Sequence, residues 1–198
     1  YHLVFEASKK GVLKEVLFVD EKDLIGINKD VNFVKVNKDI INKLSDTTNP
    51  QSIIGICEMK DVDVCYDNHN HILVLDGIND PGNLGTLIRS ALGFDIDLIV
   101  LGLDTVDLYN SKSIRASQGA MFALPIVYRD LSKEIDLIKA SEIKVIGTAL
   151  DSSEPLNSII GVKRYAIILG NEARGMKEVL KEKTDINVII PTKPQLES

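Results

Sequence analysis

The sequence predicts an α/β protein: a parallel sheet with helices on both faces, preceded by a small α/β unit. Two observations carry the prediction. From residue 71 onward, apolar runs of six to eight residues alternate with longer helix-like stretches. This is the pattern of strands buried on both faces between crossover helices. A polar run, YDNHNH at 66–71, then sets off a front part of different rhythm. The division expected is a front unit at 1–66, a linker at 67–71 and a second unit at 72–198.

In the front unit, EVLFVD (15–20), FVKV (33–36) and IIGICEM (53–59) read as strands. KDIINKLSD (38–46) reads as a short helix with Ile40 and Leu44 on one face. The unit opens directly in YHLVFEASKKG, which suggests that its front is incomplete. In the second unit HILVLDG (71–77) is a buried strand bounded by Gly. DPGNLGTLIRSALGF (80–94) begins as a turn and becomes a helix closed near Gly93. DLIVLG (97–102) is the next strand, and 111–125 reads as a helix running to Pro125. A helix at 135–142 follows, then strands at 144–150, 164–171 and 186–191, with a short helix at 175–182.

Composition narrows the function classes. The chain has 198 residues, 44% hydrophobic and 26% charged, which excludes disorder and a membrane bundle. No window approaches the roughly 20 apolar residues of a membrane span. No basic segment followed by an apolar one opens the chain, and Cys57 and Cys65 read as reduced thiols, so a cytoplasmic protein is expected. Two cysteines and His2, His69 and His71 do not suggest a metal site, and His69 and His71 read as part of a solvated loop. The net charge of −6 argues against indiscriminate nucleic-acid binding. Yet the segments 83–94, 111–125 and 170–177 hold Arg89, Lys112, Arg115, Arg174 and Lys177 against Glu172 alone. That leaves room for one specific RNA, bound more weakly as salt rises.

In an open α/β sheet, ligands sit at the carboxyl ends of the strands. Three strand ends here carry unusual loops. The first, 76–94, contains Gly77, Gly82 and Gly85, an Asp80-Pro81 turn, Asn83 as a helix cap, and Arg89 among apolar neighbours. The second, ILGNEARGM at 168–176, leaves a strand through Gly170 and reaches a helix start at Gly175, with Glu172 between them. The third, VIIPTKPQLES at 188–198, runs through Pro191 and Pro194. Taken singly, each of the first two loops is also compatible with an ordinary turn between strand and helix. There is no P-loop, no GxGxxG after a strand and no GxSxG elbow, so NTP hydrolysis, Rossmann dinucleotide binding and that serine chemistry are unsupported.

Together the loops resemble the SpoU family of RNA ribose 2′-O-methyltransferases, in the SPOUT superfamily. Asn83, Gly85 and Arg89 match the family's motif one; Gly170, Glu172 and Gly175 match motif two; Ile190, Pro191, Glu197 and Ser198 match the start of motif three. RASQGAMFALP (115–125) resembles the family's Arg-x-Ser-x-Gly-Ala stretch, and Thr148 its strand threonine. The resemblance covers about residues 72–198. In the front part, NPQSIIGI (49–56) resembles the ribosomal-protein-like RNA-binding domain that many members carry. Two departures stand out. Thr192 takes a position usually held by Met, and motif three normally continues past Ser198, so this end too is expected to be incomplete.

The resemblance implies a C-terminal trefoil knot, a homodimer, and S-adenosyl-L-methionine as cofactor, with no metal and no membrane. It implies cofactor contacts from the backbones of Gly170 and Ile190, a lining of Thr148 and Ala149, and an apolar wall from Leu169 and Ile189, with Gly175 in the same loop. It puts Arg89 at the reacting centre, with Asn83 and Glu172 holding Arg89 and its loop in place. Lys112, Arg115 and Arg174 become candidates for RNA phosphates. The implied reaction is methyl transfer to a ribose 2′-hydroxyl, in ribosomal RNA by preference because of the front domain. The alternatives are a tRNA substrate, or a non-catalytic RNA-binding or ribosome-assembly protein on the same scaffold.

Overall fold

The computed structural model describes residues 1–59, 62–149 and 154–190. The motif-three residues Pro191, Thr192, Glu197 and Ser198 lie outside the described residues.

The front unit is built on strand β1 (Leu13–Phe18), which pairs in parallel with β2 (Asn32–Lys35) and antiparallel with β3 (Ile53–Cys57). Helix α1 (His2–Lys9) packs Val4 and Ala7 onto Leu13, Val16, Phe18 and Ile53. The sequence reading assigned no element to α1, because its apolar face is only two turns long. Helix α2 (Lys38–Leu44) forms where expected, capped by Asn37, whose side chain accepts from Ile40 N at 3.0 Å. Its buried residue is Ile41, however, and the shared face of Ile40 and Leu44 is exposed.

The second sheet has seven strands in the order β6-β5-β4-β9-β7-β10-β8, every pair parallel. Its elements are β4 (His71–Leu75), α3 (Pro81–Gly93), β5 (Leu98–Gly102), α4 (Ser111–Ser117), β6 (Ile126–Arg129), α5 (Leu131–Ala140), β7 (Lys144–Thr148), β8 (Glu154–Pro155), β9 (Tyr165–Leu169), α6 (Glu178–Lys181) and β10 (Ile186–Ile189). Alternation along β4 divides the core. Ile72 and Val74 meet Ile135 and Ile138 of α5 and Leu180 of α6, whereas Leu73 and Leu75 meet Leu84, Ile88 and Ala91 of α3. This is the helix-on-both-faces arrangement that the continuous apolar runs predict.

Five elements of this unit depart from the sequence reading. The helix expected over 111–125 stops at Ser117, because Gln118 and Gly119 adopt φ of 52° and 92°. A single 3₁₀ turn (Ala120–Phe122) then leads into β6, which sequence reasoning missed along with the two-residue β8. α5 begins earlier than expected, where Asp130 accepts from Ser132 N. α6 is shorter, because Gly175 has φ of 71° and lies outside it.

The 66–71 run is tied down by hydrogen bonds, although Asp67, Asn68 and Asn70 are exposed. The Arg164 guanidinium donates to the carbonyls of Ser141 at 2.8 Å, His69 at 3.0 Å and Tyr66 at 3.2 Å. Tyr66 is buried, and its hydroxyl donates to Glu134. His69 faces Asp97 at 3.2 Å, and His71 stacks on Tyr165. Among the described residues no helix is long and apolar enough to cross a membrane, and no group of three metal-ligating side chains converges.

Candidate active site

The strand order creates the site. From β4 the chain winds outward through β5 and β6, then crosses to β7, and β9 returns between β4 and β7. The direction reverses at the β4–β9 boundary, where open α/β sheets bind ligands at their carboxyl ends. The neighbouring strands β4, β9, β7 and β10 therefore bring motif one, motif two, Thr148 and Ile189 to one edge.

Helix α3 begins at Asp80, not at Asn83 as the sequence reading had it. Asp80 Oδ1 accepts from Asn83 N at 2.8 Å, and Pro81 takes the first helical position. With the cap supplied by Asp80, the Asn83 side chain is available to donate Nδ2–H to Glu172 Oε1 at 3.0 Å. That bond joins the motif-one helix to the motif-two loop. Glu172 Oε2 also faces Asn79 N at 3.4 Å. Burial pushes the Glu172 carboxyl up, but Asn83 and the backbone N–H groups of Glu172, Asn79 and Asp80 outweigh it and hold the group below the usual carboxylate range. Glu172 is thus an ionised acceptor that orients its neighbours, and a weak proton acceptor at neutral pH.

The motif-two loop closes on itself. Asn171 and Gly175 exchange both backbone hydrogen bonds, at 3.0 and 2.9 Å. Asn171 Oδ1 accepts from Ala173 N and Arg174 N, and its Nδ2 donates to Gly77 O at 2.7 Å. Gly170 needs to be glycine for this closure: a Cβ there would lie 2.1 Å from Met176 N. Gly85 has a packing reason too, since a Cβ would lie 2.4 Å from the Ser113 carbonyl of α4.

Arg89 stands six residues beyond Asn83 on α3, roughly 9 Å along the helix axis. It is exposed, and its guanidinium makes no hydrogen bond or ion pair with another described residue. The structure thus brings Asn83 and Glu172 together and leaves Arg89 about two turns further along the helix without a partner among the described residues. Any hold they exert on Arg89 runs through the helix.

The expected cofactor residues lie at three adjacent strand ends. The Thr148 hydroxyl donates to Ile168 O at 2.9 Å, which leaves its methyl to line the edge. Ala149 N donates to Val188 O at 3.1 Å, extending the β7–β10 pairing. Leu169, Gly170 and Ile189 are half-buried, and Ile190 is exposed. These residues fit a ligand gripped by apolar side chains and free main-chain groups, with most side-chain donors already committed.

Of the RNA candidates, Lys112 is paired with Asp80 Oδ2 at 2.7 Å, and this pairing, more than any other contact, holds the Asp80 carboxyl low. Arg115 and Arg174 are exposed, Arg115 on the groove between the two units. The local charge count is corrected accordingly. Asp76, Asp80 and Asp104 lie outside the sequence windows but pair with Lys177 and Lys112, and Asp104 also feels the charge of Arg174, leaving Arg89 and Arg115 as the cations of the five without an acidic partner among the described residues. Sequence reasoning missed Asp76 and Asp104 as site residues. The signal available for Asp76 was a carboxylate directly after an apolar strand.

The model of the SpoU rRNA Methylase family matches residues 70–198. The chain is 37% identical to the 23S rRNA (guanosine(2553)-2′-O)-methyltransferase RlmP of Bacillus subtilis, over all of this chain and 79% of that one. The AdoMet-bound rRNA methyltransferase of Sinorhizobium meliloti superposes with a TM-score of 0.87 at 27% identity, covering 100% of this chain and 78% of that one. AviRb of Streptomyces viridochromogenes, in complex with AdoMet, shares the fold at a TM-score of 0.87 and 21% identity, over 100% and 81% of the two chains. A family match across the whole second sheet, together with a relative of that identity along the whole chain, leads to one conclusion: the chain belongs to the SpoU rRNA methylase family.

Proposed function

We propose that this chain transfers a methyl group from S-adenosyl-L-methionine to a ribose 2′-hydroxyl of RNA, with ribosomal RNA as the substrate. The observation that carries the reading is the 3.0 Å bond between Asn83 and Glu172 at the strand-order reversal, with Arg89 on the same helix and without a partner among the described residues. The name of the Bacillus relative supports the RNA class and the atom modified, and the Sinorhizobium structure supports the cofactor.

S-adenosyl-L-methionine supplies a methyl on a sulfonium, ready for in-line attack. The residues that would hold it are Thr148, Ala149, Leu169, Gly170, Gly175, Ile189 and Ile190. The chain must also position the 2′-hydroxyl and favour loss of its proton. Arg89 carries a guanidinium, which is a poor base because it stays protonated at neutral pH. Its fork of donors suits a phosphate and a developing alkoxide. Asn83 and Glu172 hold the motif-one helix against the motif-two loop, and Arg115, Arg174 and Lys112 contact RNA phosphates. In the same reading residues 1–66 form an RNA-binding domain joined through 67–71 to the methyltransferase domain. A C-terminal trefoil knot, which membership of the family implies, belongs to the same reading. Two copies form a homodimer, acting in the cytoplasm without a metal.

The test is transfer of labelled methyl from the cofactor to ribosomal RNA transcripts, with mapping of the product. Arg89→Ala should lose at least 100-fold in rate while binding cofactor within threefold of wild type. Comparable rates in the variant would refute the role of Arg89, and exclusive modification of tRNA would refute the substrate.

A further inference from the structure

A charge cluster built around one buried carboxylate sits behind the motif loops, and the reaction as described does not use it. Asp76, the residue after β4, is 1% exposed. A carboxylate that deep needs both hydrogen bonds and a counter-charge. One residue supplies both. Lys177 donates its backbone N–H to Asp76 Oδ2 at 2.8 Å, and its Nζ stands 3.0 Å from Asp76 Oδ1. Asp76 Oδ1 has no aligned hydrogen bond among the described residues, so the Lys177 ammonium is the charge that answers it. The same Nζ lies 2.8 Å from Asp104 Oδ2, beyond the end of β5. Burial draws the Lys177 ammonium down, but the two carboxylates outweigh it and raise its pKa above the ordinary lysine value.

The cluster's location gives it a role beyond neutralising a buried acid. The motif-two loop is fixed at two points, one at each end, and both points are on the exit of β4. At its start, Asn171 Nδ2 binds the carbonyl of Gly77. At its finish, Lys177 holds Asp76 through both its backbone N–H and its ammonium. Gly77 itself, at φ of 70°, is packed against Asp104, whose Oδ2 would lie 2.9 Å from a Cβ at that position. Between the two anchors the chain makes a closed turn that carries Glu172 towards Asn83.

We propose that Lys177, Asp76 and Asp104 form a positioning cluster for the methyl-transfer site: they set the distance of Glu172 from Asn83 and thereby the rate at saturating substrates. The rate part rests on the function proposed above; the loop-anchoring part does not.

Two measurements separate these parts. The first is amide hydrogen exchange in the full chain, which needs no substrate. In Lys177→Met, which keeps the main-chain bond to Asp76 but removes the ammonium from both carboxylates, the amides of Ala173, Arg174 and Gly175 should exchange at least tenfold faster, with those of β4 and β9 unchanged. Unchanged loop exchange in a folded variant would overturn the cluster's anchoring role. The second is the rate of methyl transfer at saturating cofactor and RNA, expected to fall at least tenfold in Lys177→Met and two- to fivefold in the milder Asp104→Asn. The double variant Asp76→Asn/Lys177→Met distinguishes positioning from folding. Removing the buried charge should restore the melting temperature, yet the rate should stay at least tenfold low because nothing ties the loop to Asp104. Recovery of both stability and rate would mean that the cluster only stabilises the fold. Absence of methyl transfer by the wild type would count against the function itself, and the exchange measurement would still decide the anchoring.

Discussion

Gly85→Ala is the sharpest test of how α3 is seated. Helix propensity alone favours the change by about 0.8–1.0 kcal/mol. The structure opposes it. The new methyl would lie 2.4 Å from Ser113 O, 2.5 Å from Ala116 Cβ and 2.9 Å from Ser117 N. Carbon contacts are comfortable near 3.5–4.0 Å, so α4 must retreat by about 1 Å. The obstacles are backbone atoms and a Cβ, which cannot rotate away, so the overpacking cost belongs at the upper end of about 1–3 kcal/mol. The net effect is a loss of about 1–2 kcal/mol. At about 2–4 °C per kcal/mol for a chain of this size, Tm should fall by roughly 2–8 °C. Gly93→Ala is the control on the same helix, because nothing lies within 4 Å of a Cβ there. It should leave Tm unchanged or raise it by up to about 3 °C. Thermal unfolding followed by circular dichroism reads both variants. A Gly85→Ala protein as stable as wild type would refute the close α3–α4 seating, as would an equal loss in Gly93→Ala.

Two further expectations follow from the site's hydrogen bonds and charges. Glu172→Gln turns an amide donor towards the N–H groups that the carboxylate accepts; methyl transfer should fall at least tenfold with less than about 1 kcal/mol lost in urea unfolding, and a rate within twofold of wild type would remove Glu172 from the site. Glu172, Asp80, Asp104 and Asp185 are all held below their ordinary pKa. Their contribution is therefore present above the unfolded carboxylate values of about 3.9–4.3 and is lost as pH falls through the lower folded ones. Melting temperatures should be level from about pH 5 to 8 and drop below about pH 4; a rise on acidification across that window would contradict the assignment.

Several features of this molecule are legible in local sequence. The strands β4, β5, β7 and β9 announce themselves as apolar runs, since burial on both faces leaves no room for polar alternation. Asp80-Pro81 marks the helix start through turn and cap chemistry, although which side chain caps was misjudged, because Asp80 and Asn83 are both suited to it. The short β6 and the break after Ser117 were not legible. Gln118 adopts a left-handed φ that its type does not announce, and the Gly119 turn packs against Glu6 of α1, more than a hundred residues away in sequence.

By itself the sequence determined the fold class, the family motifs and the residues that carry them, because periodicity, turn residues and short motifs are local properties. Only the tertiary structure decided which of those residues meet. The return of β9 between β4 and β7 sets Asn83 against Glu172 across 89 positions, and Asp76 against Lys177 across 101. It also cancels much of the positive charge counted along the chain, by bringing Asp76, Asp80 and Asp104 to Lys177 and Lys112. Coulomb energy and hydrogen bonding depend on distance in space, and separation along a sequence does not contain that distance.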